Sequence, residues 1–211
     1  MIQKLLTAKH WQLFILTFGV QMLVQIAMMG YFFSAMISND FEQNPLLIFD
    51  FLKYFPIVMI LLMIVYLAWI YSVSVGLQSK VPSNVSMKVK KFKIFFFIPI
   101  VYNILFMIGF SLWISSMNHQ APLDNFVHFE NFFPIFFPVN LFAMFCSLYT
   151  IYFTAKTIKT VELQREVKFG EFVGEFFLIW FYFIGVWILQ PKINKMVELD
   201  TETSNPERGT I

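Results

Sequence analysis

Apolar residues fall into five long blocks with almost no polar interruption: Leu13–Ile37, Phe55–Leu77, Ile94–Ser116, Phe132–Thr154 and Phe172–Gln190. The first four run 23 to 25 residues and hold no Asp, Glu, Lys or Arg, whereas the fifth runs 19 and holds Glu175. A helix rising about 1.5 Å per residue needs about 20 residues to cross a hydrocarbon layer about 30 Å thick. Runs such as Ile57–Val65 and Phe176–Ile184 are apolar on every side and do not alternate, so they predict helices and not barrel strands. Inside lipid a helix satisfies each backbone N–H and C=O within its own segment, which overrides the strand preference of the many Phe, Ile and Val residues. The expected fold is all-α: a polytopic integral membrane helical bundle of about five transmembrane helices in residues 1–197. A disordered polar tail is expected over 198–211.

The fifth block admits a second reading, with four crossings plus a re-entrant or interfacial segment. Phe176–Leu189 lacks the polar face that an in-plane helix needs, which favours a full crossing. Against it, a full crossing carries Lys192, Lys195 and Arg208 to the outer side. Gly185 or the Gln190–Pro191 pair can mark a break or an end. The weight of unbroken apolar sequence makes crossing the primary expectation.

Charge sets the orientation. Lys4 and Lys9, then Lys80, Lys88, Lys90, Lys91 and Lys93, then Lys156, Lys159, Arg165 and Lys168 place 11 cations on one side of the first four blocks. The opposite loops offer Lys53 alone, beside Asp40, Glu42, Asp50, Asp124 and Glu130. Cation-rich loops stay in the cytoplasm, so the N-terminus is expected there. The apolar core of the first block is too long for a signal peptide and is expected to remain as a span, with Trp11 at the interface. Leu46–Lys53 reads as a short interfacial helix, and Ala155–Phe169 as a cytosolic continuation of the fourth helix.

Composition narrows the class further. The chain has 211 residues, 58% of them hydrophobic and 13% charged, with a mean hydropathy of +0.68. Soluble domains carry about 25% charged residues, so an ordinary cytosolic enzyme and a disordered protein are excluded. The net charge of +2 with no basic domain excludes a nucleic-acid binder. The single cysteine, Cys146, rules out an intramolecular disulfide and a thiolate metal cluster. Thirteen lysines against two arginines fit an AT-rich bacterial genome, so the expected location is the cell membrane, as a bacterial inner-membrane protein.

Candidate chemistry is sparse. Glu175 is the one ionisable residue inside a block, which makes it a functional candidate; the plainer expectation is that it reaches headgroup water or pairs with Lys168. Gln21 and Gln25 share a face of the first block and Asn103 lies midway along the third; such amides bond a neighbouring helix or line a polar cavity. Asn140, Ser147 and Thr150 invite the same treatment, and Pro99 is expected to kink the third helix. Gly30-x-x-x-Ser34 and Gly170-x-x-x-Gly174 match the small-residue packing pattern. His119, Asp124, His128 and Glu130 share an outer loop, but their spacing matches no metal motif. Lys88, Lys90, Lys91 and Lys93 fix topology and attract anionic lipid headgroups.

No phosphate loop, dinucleotide fingerprint, nucleophile elbow or His-Glu-x-x-His occurs, so neither a catalytic set nor a cofactor is expected. The leading functional expectation is an accessory or scaffold subunit packing against other membrane proteins. A small transporter or channel with a polar midplane cavity is the alternative, and a membrane-embedded enzyme or lipid-handling protein the third.

Overall fold

The computed structural model describes residues 2–38, 55–116 and 133–203, and every regular element among them is helical. The order is α1 (Ile2–Leu6), α2 (His10–Phe14), a π-helical turn (Ile15–Gly19), α3 (Val20–Ile37), α4 (Phe55–Gly76), α5 (Val89–Ser116), α6 (Phe133–Leu163), α7 (Phe169–Trp180) and α8 (Tyr182–Thr203). Three stretches are long and apolar enough to cross a membrane: His10–Ile37, Val89–Leu112 and Phe136–Leu163, of 28, 24 and 28 residues. Helix α4 has 22 residues, none of them Asp, Glu, Lys, Arg or His.

The first four blocks therefore become helices close to their expected limits, with informative differences at the ends. Helix α5 starts at Val89, ahead of the apolar block, because Phe92 already packs in the core, its ring stacked 4.7 Å from that of Phe153. Helix α6 continues past Thr154 as expected, but stops at Leu163 and does not reach Phe169. The stop is made without glycine. Gln164 adopts a left-handed φ of 51°, and its side-chain amide donates to Val161 O at 2.7 Å, satisfying a terminal carbonyl. Pro99 lies inside α5, which continues on both sides of it.

The fifth block departs from the primary expectation. It is no single helix: α7 ends at Trp180, Phe181 takes φ −92° and ψ 58°, and α8 begins at Tyr182. The legs fold back on each other, since Lys192 of α8 reaches Glu175 of α7 at 2.8 Å. Gly185 makes the reversal possible, because a Cβ there would collide with the backbone carbonyl of Leu178. The Phe181 carbonyl closes the turn by accepting N–H bonds from Ile184 and Gly185 at 3.0 and 2.9 Å. Pro191, the other candidate breaker, sits within α8 without ending it. Helix α8 also overruns the expected start of the tail, running to Thr203; residues 204–211 lie outside the described residues. The expected interfacial helix Leu46–Lys53 and the outer loop with His119, Asp124, His128 and Glu130 lie outside them too.

The chain divides into two compact units. The first comprises Met1–Gly19, Ile64–Phe92 and Tyr149–Ile211. Its core buries Trp69, Val73, Leu77, Ile158, Phe172, Ile179, Val186 and Ile193. The Tyr182 ring, just past the α7–α8 break, sits 5.1 Å from Tyr66 and 5.0 Å from Trp69. Ser74 and Thr154 hydroxyls bond across α4 and α6 at 2.7 Å.

The second unit comprises Val20–Met63 and Lys93–Leu148. Among its described residues Ala35, Phe96, Ala143 and Cys146 are buried, and Phe106 packs on Phe136 at 5.3 Å. Asn140 donates to the Tyr102 hydroxyl at 3.1 Å, the interhelical bond expected of an amide in an apolar span. Leu23, Ile26, Ile37, Leu105 and Leu112 are exposed, an outer surface suited to lipid.

Candidate functional site

Glu175 lies on the face of α7 that also buries Phe172 and Ile179, at the i, i+3, i+7 spacing of one helix stripe. Its Oε1 accepts from Lys159 Nζ at 3.2 Å and from Lys192 Nζ at 2.8 Å. Glu162 Oε2 is held by the same two ammoniums, at 2.9 and 2.6 Å. The four side chains form a closed ring of alternating charge that joins α6, α7 and α8. A buried carboxylate is tolerated when it is paired and hydrogen-bonded, and here each carboxylate is bonded to both lysines. Lys168 is therefore not the partner. Its backbone N–H donates instead to Glu171 Oε2 at 2.8 Å, at the start of α7. The Arg165 guanidinium bonds the Glu171 carboxylate and, with the Lys168 N–H, holds it below the usual carboxylate range.

In the sequence Gln190 marks only the end of a block, and the structure makes it a hub. The side chain is fully buried; its Oε1 accepts from Trp69 Nε1 at 2.7 Å. Its Nε2 lies within 3.0 Å of Leu6 O and of Ala8 O, 3.2 Å from Leu5 O and 2.9 Å from Asn194 Oδ1. Asn194 Nδ2 adds a bond to Ala8 O at 3.1 Å. These amides cap the open carbonyl end of α1, which would otherwise leave polar groups unsatisfied in the core. His10 and Phe14 rings pack on Trp187 at 4.7 and 5.4 Å, laying the N-terminal segment along α8. The signal available in the sequence was the Gln190-x-x-x-Asn194 spacing, two amides one turn apart.

Beside the ring a cleft of about 670 Å³ opens. Ser79, Lys80, Glu162, Gln164, Lys192 and Lys195 supply its polar lining. Lys80 Nζ donates to Met196 O at 2.6 Å, and Gln164 Nε2 reaches Lys80 O at 3.3 Å, so the Leu77–Lys80 turn is tied to both α6 and α8.

Among the described residues, no hydrogen bond joins Gln21, Gln25 and Asn103 to one another. Asn103 Nδ2 donates to Pro99 O of its own helix at 2.7 Å; Gln21 is half-buried and Gln25 is exposed. Ser147 likewise bonds Ala143 O within α6, at 3.0 Å. Gly30, Gly170 and Gly174 face open space, with room for a Cβ at each. Lys88, Lys90, Lys91 and Lys93 are exposed at the start of α5, with Lys91 Nζ 5.3 Å from the Tyr149 ring centroid. Among the described residues, no three His, Cys, Asp or Glu side chains gather as metal ligands. No family model, curated protein or solved structure matches the chain.

Proposed function

We propose that this chain is a scaffold or accessory subunit of the cell membrane, built to pack against other membrane proteins. The observation that carries the reading is Gln25, an exposed amide deep within the apolar stretch His10–Ile37, between exposed Met22 and Met29. Hydrocarbon offers that amide no hydrogen bond, whereas a polar group on a partner helix does, contributing about 0.6–2 kcal/mol. Further along the same helix, exposed Gly30 and Ser34 leave room for a second backbone to approach.

The proposed arrangement has four crossings and a cytoplasmic N-terminus, with the α7–α8 hairpin dipping in from the cytoplasmic side and returning there. Two facts support it. With both ends of the fifth block inside, every cation but Lys53 falls on the cytoplasmic side, 14 against 1. The 12 residues of α7 rise about 18 Å, enough to enter the hydrocarbon but not to cross it. Lys88, Lys90, Lys91 and Lys93 then lie where anionic headgroups are, each adding about 1 kcal/mol of attraction.

A photo-crosslinking residue placed at position 25 tests the subunit reading. It is expected to join the chain to a membrane protein, and Gln25→Leu to weaken co-purification of that protein by about 3- to 30-fold. Adducts with lipid alone, from a chain that runs as a monomer in mild detergent, would sink the proposal. The broken helix at Phe181 favours one other reading, a small transporter, because interrupted helices hold the substrate sites of many transporters. That reading calls for substrate flux in proteoliposomes that falls when Gln21, Gln25 or Asn103 is replaced by leucine.

A further inference from the structure

Resting on the packing role and naming its partner, we infer that α3 pairs with α3 of a second copy of this chain, along Met22, Gln25, Met29, Phe32 and Met36. Successive positions lie 3, 4, 3 and 4 residues apart, the a/d spacing of a coiled-coil seam. The seam rises about 21 Å, so it fits within a hydrocarbon layer about 30 Å thick. Met22, Gln25, Met29 and Met36 are exposed and Phe32 is half-buried, while α3 buries Ala35 alone. A repeat of 3.5 residues, set against 3.6 in a straight helix, keeps facing a partner that crosses at about 20° with left-handed coiling. That is the usual crossing in membrane bundles.

Insertion makes the pairing parallel. The lysines that hold the N-terminus of one copy inside hold every copy the same way round. A two-fold axis along the membrane normal then sets each seam residue beside its own counterpart. Gln25 is the one polar residue in the seam, and its amide takes no hydrogen bond among the described residues. A carboxamide carries two donors and an acceptor, so Gln25 bonds its own copy, as two ammoniums or two carboxylates would not. A register shifted by a turn leaves both amides against Met or Phe in hydrocarbon, and the amide pair therefore fixes the alignment. A different protein has to present its own polar group at that depth, whereas a second copy presents it by identity. Methionine suits the remaining contact, because its unbranched thioether fills irregular gaps between facing helices.

The test uses the full chain in lipid vesicles, with one cysteine added at a time. The wild-type chain, whose Cys146 is buried, is the blank. Met22→Cys, Met29→Cys and Met36→Cys are expected to oxidise to linked dimers, since seam positions of a parallel pair come within the Cα separation of about 4.4–6.8 Å that a disulfide spans. Leu23→Cys, exposed on another face of α3, is expected to give at least about fivefold less. Energy transfer between donor- and acceptor-labelled chains should show Gln25→Leu weakening dimerisation by about 3- to 30-fold. Gln25 is exposed, so that variant should melt at the wild-type temperature, which separates lost pairing from lost folding. Equal linking at positions 22, 29, 36 and 23, Gln25→Leu pairing as tightly as wild type, or energy transfer no greater than chance collision overturns the pairing. A photo-crosslinker at position 25 that captures a different protein, with no self-dimer, overturns the pairing and leaves the subunit reading standing. Adducts with lipid alone remove both.

Discussion

Two glycines eleven residues apart, Gly174 and Gly185, meet opposite fates on substitution. Gly185 touches the Leu178 carbonyl across the hairpin, so Gly185→Ala must push the legs apart. Overpacking of this kind costs about 1–3 kcal/mol, and here the obstacle is backbone, which cannot rotate away. Gly174 faces open space within α7, so Gly174→Ala adds helix propensity alone and stabilises by about 0.5–1 kcal/mol. Thermal melts in one detergent should place the two variants on opposite sides of wild type. Gln190→Leu keeps the volume but strands the Trp69 N–H and the Leu6 carbonyl. Orphaned buried groups cost about 1–3 kcal/mol each, so a loss of about 3 kcal/mol is expected. Limited proteolysis should then cut the first nine residues faster than in wild type.

At the scale of elements, the α7–α8 hairpin was the least legible part of the chain. Its residues are uniformly apolar, and hydropathy records how greasy a segment is without recording which way it runs. Gly185 was visible as a candidate break, but its role depends on a contact with Leu178 that no local pattern carries. Glu175 was visible as an oddity, yet its partners Lys159 and Lys192 lie 16 and 17 residues away in sequence, on different helices. Gln190 was missed because an amide at the end of an apolar run looks like an interface residue.

The entrance to the hairpin also carries a pH dependence. Glu171 is held below the ordinary carboxylate range, chiefly by the Arg165 guanidinium and then by the Lys168 N–H. Its contribution is therefore full above the unfolded carboxylate range and is lost as pH falls through the lowered folded value. Amide exchange over residues 165–172 should stay constant from neutral pH down to mildly acidic pH, after correction for intrinsic rates. It should accelerate only in strong acid, and Glu171→Gln should remove that dependence.

For the whole molecule, the four long apolar blocks were readable because lipid imposes one solution on an uncharged run of that length. What surrounds them was not readable, since packing between helices depends on side-chain partners and not on mean hydropathy. The proposed arrangement returns the C-terminus to the side of the N-terminus. A reporter active only in the cytoplasm, fused after Ile211, is therefore expected to be active; a reporter active only outside, giving signal at that position, would restore the five-crossing topology.

The amide of Gln190 fastens carbonyls that were synthesised about 185 residues earlier. Translation at about 5–20 residues per second delivers that amide roughly 10–40 s after the first residues emerge. Until then the opening segment has no clasp. Biogenesis therefore has a fixed order in which α8 closes a segment made long before it, and a truncation before α8 leaves α1 without its clasp.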